Sequence, residues 1–437
     1  DGCVICHGGN PRAKKKEKAH KGIPRSLKKT LGPKTFYPDP GAVWITQNTC
    51  GACNISYVRR VQLSLMNTEA GKIAGSMNTF GIEQVKGYKV PWGNYKDTDR
   101  DGPNPFGGTP AYSAYMKDLM SRYPRKFPGS LEKLPIPEMQ AIETRPELAA
   151  FTYQRKECQR CHLGVKGRQI RGDFRGMGCS ACHMPYSNEG YYEGNDPSID
   201  KTRPGHILRH RIMGNSKTRG IPVEACNSCH NRGKRIGVSF QGLMETPYNS
   251  PFNKDGSAQS GLHGKHYRFI SDDLHHQTGQ SREGNPAAGL VCQDCHTSFD
   301  VHGDGNISGT TLAQVEIECT DCHGTPEKYP WELPLGYGDE YGKDLSDSEK
   351  RGLAEVRLMT DQRFGADIKA EDGFLLSARG NPMGNVVKSG EKVILHSAAG
   401  PEFSIPQLKS IHKNNEWKDP SARIAMAAVK GHINRME

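Results

Sequence analysis

The chain is short of what builds an ordinary apolar core. Only 35% of its 437 residues are hydrophobic and 8% aromatic, against 50 glycines and 28 prolines. The length suggests two or three domains, but this composition is poor material for side-chain cores of that size. No run approaches the roughly 18–20 apolar residues that a membrane-spanning helix requires, so any membrane contact is expected to be peripheral. Acidic residues are the minority charge, 48 against 59 basic ones, for a formal net charge of +11. Taken alone, that excess invites a nucleic-acid reading.

What the chain has in quantity is paired cysteine. All 14 cysteines fall in seven Cys-x-x-Cys pairs. In six of them histidine comes next: Cys3/Cys6/His7, Cys158/Cys161/His162, Cys179/Cys182/His183, Cys226/Cys229/His230, Cys292/Cys295/His296 and Cys319/Cys322/His323. The seventh is Cys50/Cys53 followed by Asn54. Histidine fills 17 positions in all, so chance placement after six of seven pairs has a probability on the order of 10⁻⁸. Cys-x-x-Cys-His is the attachment sequence of haem c: two thiols bond the vinyl groups, and the adjacent imidazole becomes the proximal iron ligand. Structural zinc has no use for a histidine after every second cysteine, and a disulfide framework imposes no fixed spacing.

Haem resolves the missing core. Each porphyrin is a large apolar disc that buries surface against the chain around it, and the glycines let backbone pass close to its faces. The expected fold is therefore mainly α and irregular, a haem-organised multihaem cytochrome c fold, with a small antiparallel β module near the C-terminus. Haem also removes the charge argument. Seven pairs of propionates bring the reduced holoprotein to about −3, and ferric iron returns it to about +4, so nucleic acid is not implied. One basic run remains, Arg12, Lys14, Lys15, Lys16, Lys18 and Lys21. It reads as a solvated loop or as a docking patch for an acidic redox partner.

Haem density divides the chain into 1–155, a wrapping region with two sites, 156–330, an electron-transfer core with five, and 331–437, a haem-free module. His162 and His183 are 21 residues apart and His296 and His323 are 27 apart, which forces neighbouring porphyrins close together. A helix is expected from about Cys50 towards Ala74, with Val58, Val61, Leu65 and Ile73 as its apolar stripe. An irregular wrapping segment is expected between Lys86 and Pro137. In the last region, Gly373–Ala378, Lys392–His396 and Phe403–Ile405 read as strands. Turns are expected at Asn381–Asn385 and Lys388–Glu391, and a helix near Ser421–Ile433.

Eleven histidines remain for the second axial position. His20, His206, His210, His263, His266, His275, His302 and His432 are the expected ligands. The pairs His206/His210 and His263/His266 have helical spacing. His276, His396 and His412 read at least as well as surface or hydrogen-bonded side chains. Bis-histidine iron has a low potential and no free position, so such sites carry electrons and leave substrates alone. No catalytic residue is assigned on this reading.

Asn54 is a poor iron ligand, and four readings stay open. The Cys50/Cys53 haem recruits a distant histidine; it keeps an open position for catalysis or gas binding; the pair carries no haem; or residue 54 is misassigned. Tyr57, Arg59 and Arg60 are placed to line a pocket there, or to form an ordinary helix surface.

With these residues in view, notably Arg175–Gly190 around Cys179/Cys182/His183 and Gly324-Thr325-Pro326 after His323, the chain resembles bacterial multihaem c-type cytochromes of respiratory and extracellular electron transfer. The resemblance covers about residues 1–330. It implies single-electron transfer in anaerobic respiration and export to the periplasm or cell surface. The partners it implies are other cytochromes or a quinol-oxidising complex. It also implies two alternatives: a reductase of a small nitrogen or sulfur oxyanion at Cys50/Cys53, and a homo-oligomer or conductive filament. The chain opens two residues before its first cysteine and stops abruptly, so a processed chain or a piece of a longer one is expected.

Overall fold

A computed structural model describes residues 2–22, 33–82, 110–126, 137–154, 161–207 except 166, 168, 170–173 and 198, then 221–230, 240–245, 267–270, 273–277, 289–308, 314–335, 352–354 and 373–414. The chain forms two compact units, one from 1–210 with 298–315 and the other from 211–297 with 316–437. Compactness thus follows a different partition from haem density, and the stretch 156–330 contributes to both units.

The first unit is built from short helices. Where one helix was expected from Cys50 to Ala74, three occur: Gly51–Leu63, Leu65–Thr68 and Ala70–Thr79. The breaks have local causes. Ser64 is extended, and Glu69 takes a left-handed conformation (φ 60°) that side chains other than glycine rarely adopt. The expected stripe is partly kept, with Val58, Leu65 and Ile73 buried. Within the segment expected to be irregular, Pro110–Arg122 is a helix. It buries Tyr112, Tyr115, Met116 and Leu119 against Val43 and Leu63. A second small cluster joins Ile73, Met77 and Phe151. Strands β1 (Tyr186–Tyr191) and β2 (Pro204–His206) pair antiparallel, with Tyr186 opposite His206.

The second unit holds a short antiparallel pair, β3 (Leu243–Glu245) with β4 (Tyr267–Phe269). It also holds an antiparallel sheet in the order β5 (Leu353–Ala354), β6 (Gly373–Leu376), β7 (Pro382–Ser389), β8 (Lys392–His396) and β9 (Glu402–Ile405). Alternation fixes which face is inside: Val393 and Leu395 are two apart on β8 and bury with Leu375, Met383 and Val386. The turn expected at Asn381–Asn385 is mostly strand, because Met383 and Val386 belong to this core and draw the segment into β7. The helix expected near Ser421–Ile433 lies outside the described residues.

The sheet contains an internal repeat. Leu376-Ser377-Ala378-Arg379-Gly380-Asn381 joins β6 to β7, and His396-Ser397-Ala398-Ala399-Gly400-Pro401 joins β8 to β9. In each turn the serine N–H donates to the carbonyl four residues on (2.9 Å in both), and the glycine N–H returns to the serine carbonyl (2.9 and 2.8 Å). Gly380 and Gly400 have φ of +82° and +110°, which explains glycine at both positions.

Candidate haem-binding centres

Each described Cys-x-x-Cys unit folds as one helical turn. His183, His230 and His296 donate their N–H to the carbonyl of the first cysteine of their motif at 3.0, 2.9 and 2.8 Å. Asn54 does the same to Cys50 at 2.9 Å, so the seventh pair keeps the turn without the histidine. One turn sets the two thiols and the following side chain on a common face.

Three motif or reserve histidines from distant parts of the chain meet three others. His7 faces His206 with ring centres 6.1 Å apart and planes 14° from parallel. His183 faces His302 at 6.2 Å and 27°, and His275 faces His323 at 6.2 Å and 55°. An imidazole nitrogen sits about 2 Å from a bound transition metal and about 1 Å from its own ring centre, so two rings sharing one metal stand about 6 Å apart.

The other ring nitrogens are turned to suit. Nδ1 of His7 lies 2.9 Å from the Tyr37 carbonyl, and Nδ1 of His323 lies 2.8 Å from that of Pro406. Nδ1 of His302 lies 3.1 Å from the Ser298 carbonyl, and Nδ1 of His275 lies 3.1 Å from Asp273 Oδ1. A carbonyl only accepts, so the proton sits on Nδ1 and leaves Nε2 a bare lone pair; the Asp273 carboxylate favours the same tautomer. Burial first, and the facing histidine second, lower the pKa of His206 and bring that of His302 down to about 4. Burial does the same for His323, opposed by the Pro406 carbonyl. These rings stay neutral, as metal ligation demands. Two imidazoles on one axis suit a porphyrin, which fills the other four positions of an iron.

Thiols of different motifs also meet. Cys50 hydrogen-bonds with Cys179, and that bond, with help from Thr49, brings the Cys50 thiol down to about 7. The same bond and burial push Cys179 up. Cys292 is likewise lowered by its hydrogen bond with Cys226. None of the thirteen described cysteines is in a disulfide.

Three second-position cysteines differ from the simple attachment role that sequence assigns them. Cys161, Cys182 and Cys229 are half-buried thiols that already have a polar or electrostatic contact within the chain. Cys182 lies close enough to Cys179 to raise its pKa, and its N–H donates to the Cys179 carbonyl at 3.4 Å. The Cys229 N–H donates to the Cys226 carbonyl at 3.1 Å, and its sulfur stands 3.7 Å from Ser228 Oγ. A thioether loses the S–H donor but keeps the sulfur lone pairs, so the Ser228 hydroxyl can still donate to Cys229 after attachment.

Two motifs of the second unit are gripped by the repeated turns. Asp294, inside Cys292/Cys295, accepts from Ser397 Oγ and the Ala398 N–H, both at 2.7 Å, and from the Val291 N–H at 2.8 Å. Asp321, inside Cys319/Cys322, accepts from the Ala378 N–H at 3.3 Å and the Glu318 N–H at 3.0 Å. Both carboxylates are at most 2% exposed. Burial raises the pKa of Asp294 despite its three donors. Gln407 adds a bond from Nε2 to the Cys322 carbonyl at 2.9 Å. Sequence reading missed this role; the shared Asp in the two motifs and the repeated Ser-Ala-x-Gly are the signals that could have shown it.

Other expected ligands are placed differently. His20 stacks on Phe36 at 4.3 Å. His210, His263, His266, His432 and Cys158 lie outside the described residues. His276 meets Phe240 edge-on, His412 is exposed, and His396 holds its cross-strand partner Glu402 at 3.1 Å. Near Asn54, the Arg60 guanidinium lies over Tyr57 (4.6 Å) and Phe299 (5.0 Å), and Tyr57 packs on His302 at 4.9 Å. His162 is buried beside Glu69, Asn67 and Tyr112.

The chain matches no protein-family model, no curated protein and no solved structure. Its class therefore rests on its own residues.

Proposed function

We propose that the chain is a multihaem c-type cytochrome that passes single electrons along closely spaced, mostly bis-histidine haems. The observation that carries this reading is the set of three facing imidazole pairs at one-metal spacing, with Nδ1 committed to an acceptor in at least one ring of the pairs His7/His206, His183/His302 and His275/His323. Haem c, when bound, supplies a one-electron ferric/ferrous couple.

The protein's part is to hold and space these groups. Cysteine pairs Cys3/Cys6, Cys179/Cys182 and Cys319/Cys322 belong to motifs whose histidines face a second ring, and each such pair of rings closes both axial positions to solvent. The meetings of Cys50 with Cys179 and of Cys226 with Cys292 bring attachment points of successive motifs together, which favours short transfer distances. Asp294 and Asp321 fix two motif turns against the sheet. The exposed basic run at Arg12–Lys21 suits an acidic redox partner, and the reading places the work outside the cytoplasm, where haem c is attached.

Protein-film voltammetry tests this. Several overlapping one-electron waves at low potential, spread over the oxidised-to-reduced range, are expected. A film without reversible waves, or one with a single wave at the high potential of His/Met iron, would refute it.

A further inference from the structure

His162 is built differently from the paired histidines. Its Nε2 is turned toward three oxygens: the Asn67 carbonyl at 3.0 Å, Tyr112 Oη at 3.4 Å and Glu69 Oε1 at 3.4 Å. Its Nδ1 faces the Gly164 N–H at 3.2 Å, a donor, where the paired rings have acceptors. The surroundings are held firmly. Glu69 is 1% exposed and sits at φ +60°, an unfavourable backbone kept by its neighbours. Asn67 and Thr68 are fully buried; Asn67 Nδ2 donates to the Gln62 carbonyl at 2.8 Å and Thr68 Oγ1 to that of Ser64 at 2.9 Å. Asn67 Oδ1 is buried without a hydrogen-bond partner among the described residues. Tyr112 comes from the helix Pro110–Arg122 and meets the His162 ring edge-on at 5.4 Å.

We propose that the Cys158/Cys161/His162 centre is a ligand-binding haem whose second axial side is lined by Glu69, Tyr112 and the Asn67 carbonyl, and that it takes a small uncharged molecule bearing N–H or O–H groups. The inference rests on the reading of Cys-x-x-Cys-His as haem c. A carboxyl, a backbone carbonyl and a hydroxyl make a set rich in acceptors, which suits a donor and disfavours an anion. The site accordingly differs from an oxyanion reductase centre, and it stands apart from the Asn54 motif.

The test uses the whole haem-loaded protein. When reduced, it should bind carbon monoxide at one haem, and when oxidised it should show one high-spin signal. Imidazole, the uncharged donor, should bind that ferric haem more tightly than azide. Glu69→Gln should raise azide affinity about tenfold, and Tyr112→Phe should weaken imidazole binding without abolishing the high-spin signal. Double replacement Cys158→Ala/Cys161→Ala should remove one haem by mass and all carbon monoxide binding, whereas Cys50→Ala/Cys53→Ala should leave that binding intact. Exclusively low-spin haems with no carbon monoxide binding would overturn the proposal. So would loss of the binding haem with Cys50 and Cys53. A protein carrying no haem mass at all would instead defeat the underlying reading.

Discussion

Which nitrogen of a histidine carries the proton decides what the other can do, and this is where residue-scale chemistry acts most directly. His302 is a clear case: Nδ1 faces the Ser298 carbonyl and the ring faces His183. His302→Ala should therefore convert one low-spin haem to high-spin in the electron paramagnetic resonance spectrum. An unchanged spectrum would remove His302 from the ligand set. The lowered pKa values of His206, His302 and His323 also fix a direction with pH. The folded chain binds fewer protons than the unfolded one between about pH 6.5 and about pH 4, so stability is full above 6.5 and lost as pH falls toward 4. Metal ligation acts in the same sense, because proton and metal compete for one lone pair. Denaturant midpoints at pH 8 and pH 5 measure it, and an equal or higher midpoint at pH 5 would contradict it. Cysteines and motif histidines were legible in sequence because spacing encodes them. What they touch was not. His7 meets a residue nearly two hundred positions away, and the Tyr37 and Pro406 acceptors are backbone carbonyls that any residue supplies. The contacts that Cys161, Cys182 and Cys229 make within the chain were equally hidden, because motif spacing says nothing of neighbours.

Among the elements, the sheet of the second unit does more than cap. Its two Ser-Ala-x-Gly turns hold the motif carboxylates Asp294 and Asp321 in the same way, one turn per motif. Asp294→Ala leaves the Ser397 hydroxyl and the Ala398 N–H without their charged acceptor and should cost about 2–3 kcal/mol in denaturant unfolding. Gly400→Ala forces a Cβ into φ +110° and should cost about 1–2 kcal/mol. Leu395→Ala opens the sheet core and should cost about 3 kcal/mol. Stability unchanged in Asp294→Ala would show that the turns do not grip the motif. The strands at β8 and β9 could be read from alternation, as Val393 and Leu395 show. The breaks at Ser64 and Glu69 could not, because buried polar contacts of Glu69 and Thr68 override the helical pattern there.

On the scale of the whole chain, 35% hydrophobic residues leave the described apolar clusters small, each only a handful of side chains. Porphyrin faces would supply the missing apolar surface, so chain produced without haem attachment should give weak, non-cooperative unfolding by circular dichroism. A sharp, cooperative melt of haem-free chain would show that side chains suffice. The central claim is that the cysteine pairs hold covalent haem, and intact mass reads it directly. Each attached haem adds roughly 600 Da. The account predicts a 48.2 kDa polypeptide carrying six or seven such increments. A mass equal to the polypeptide alone would contradict it.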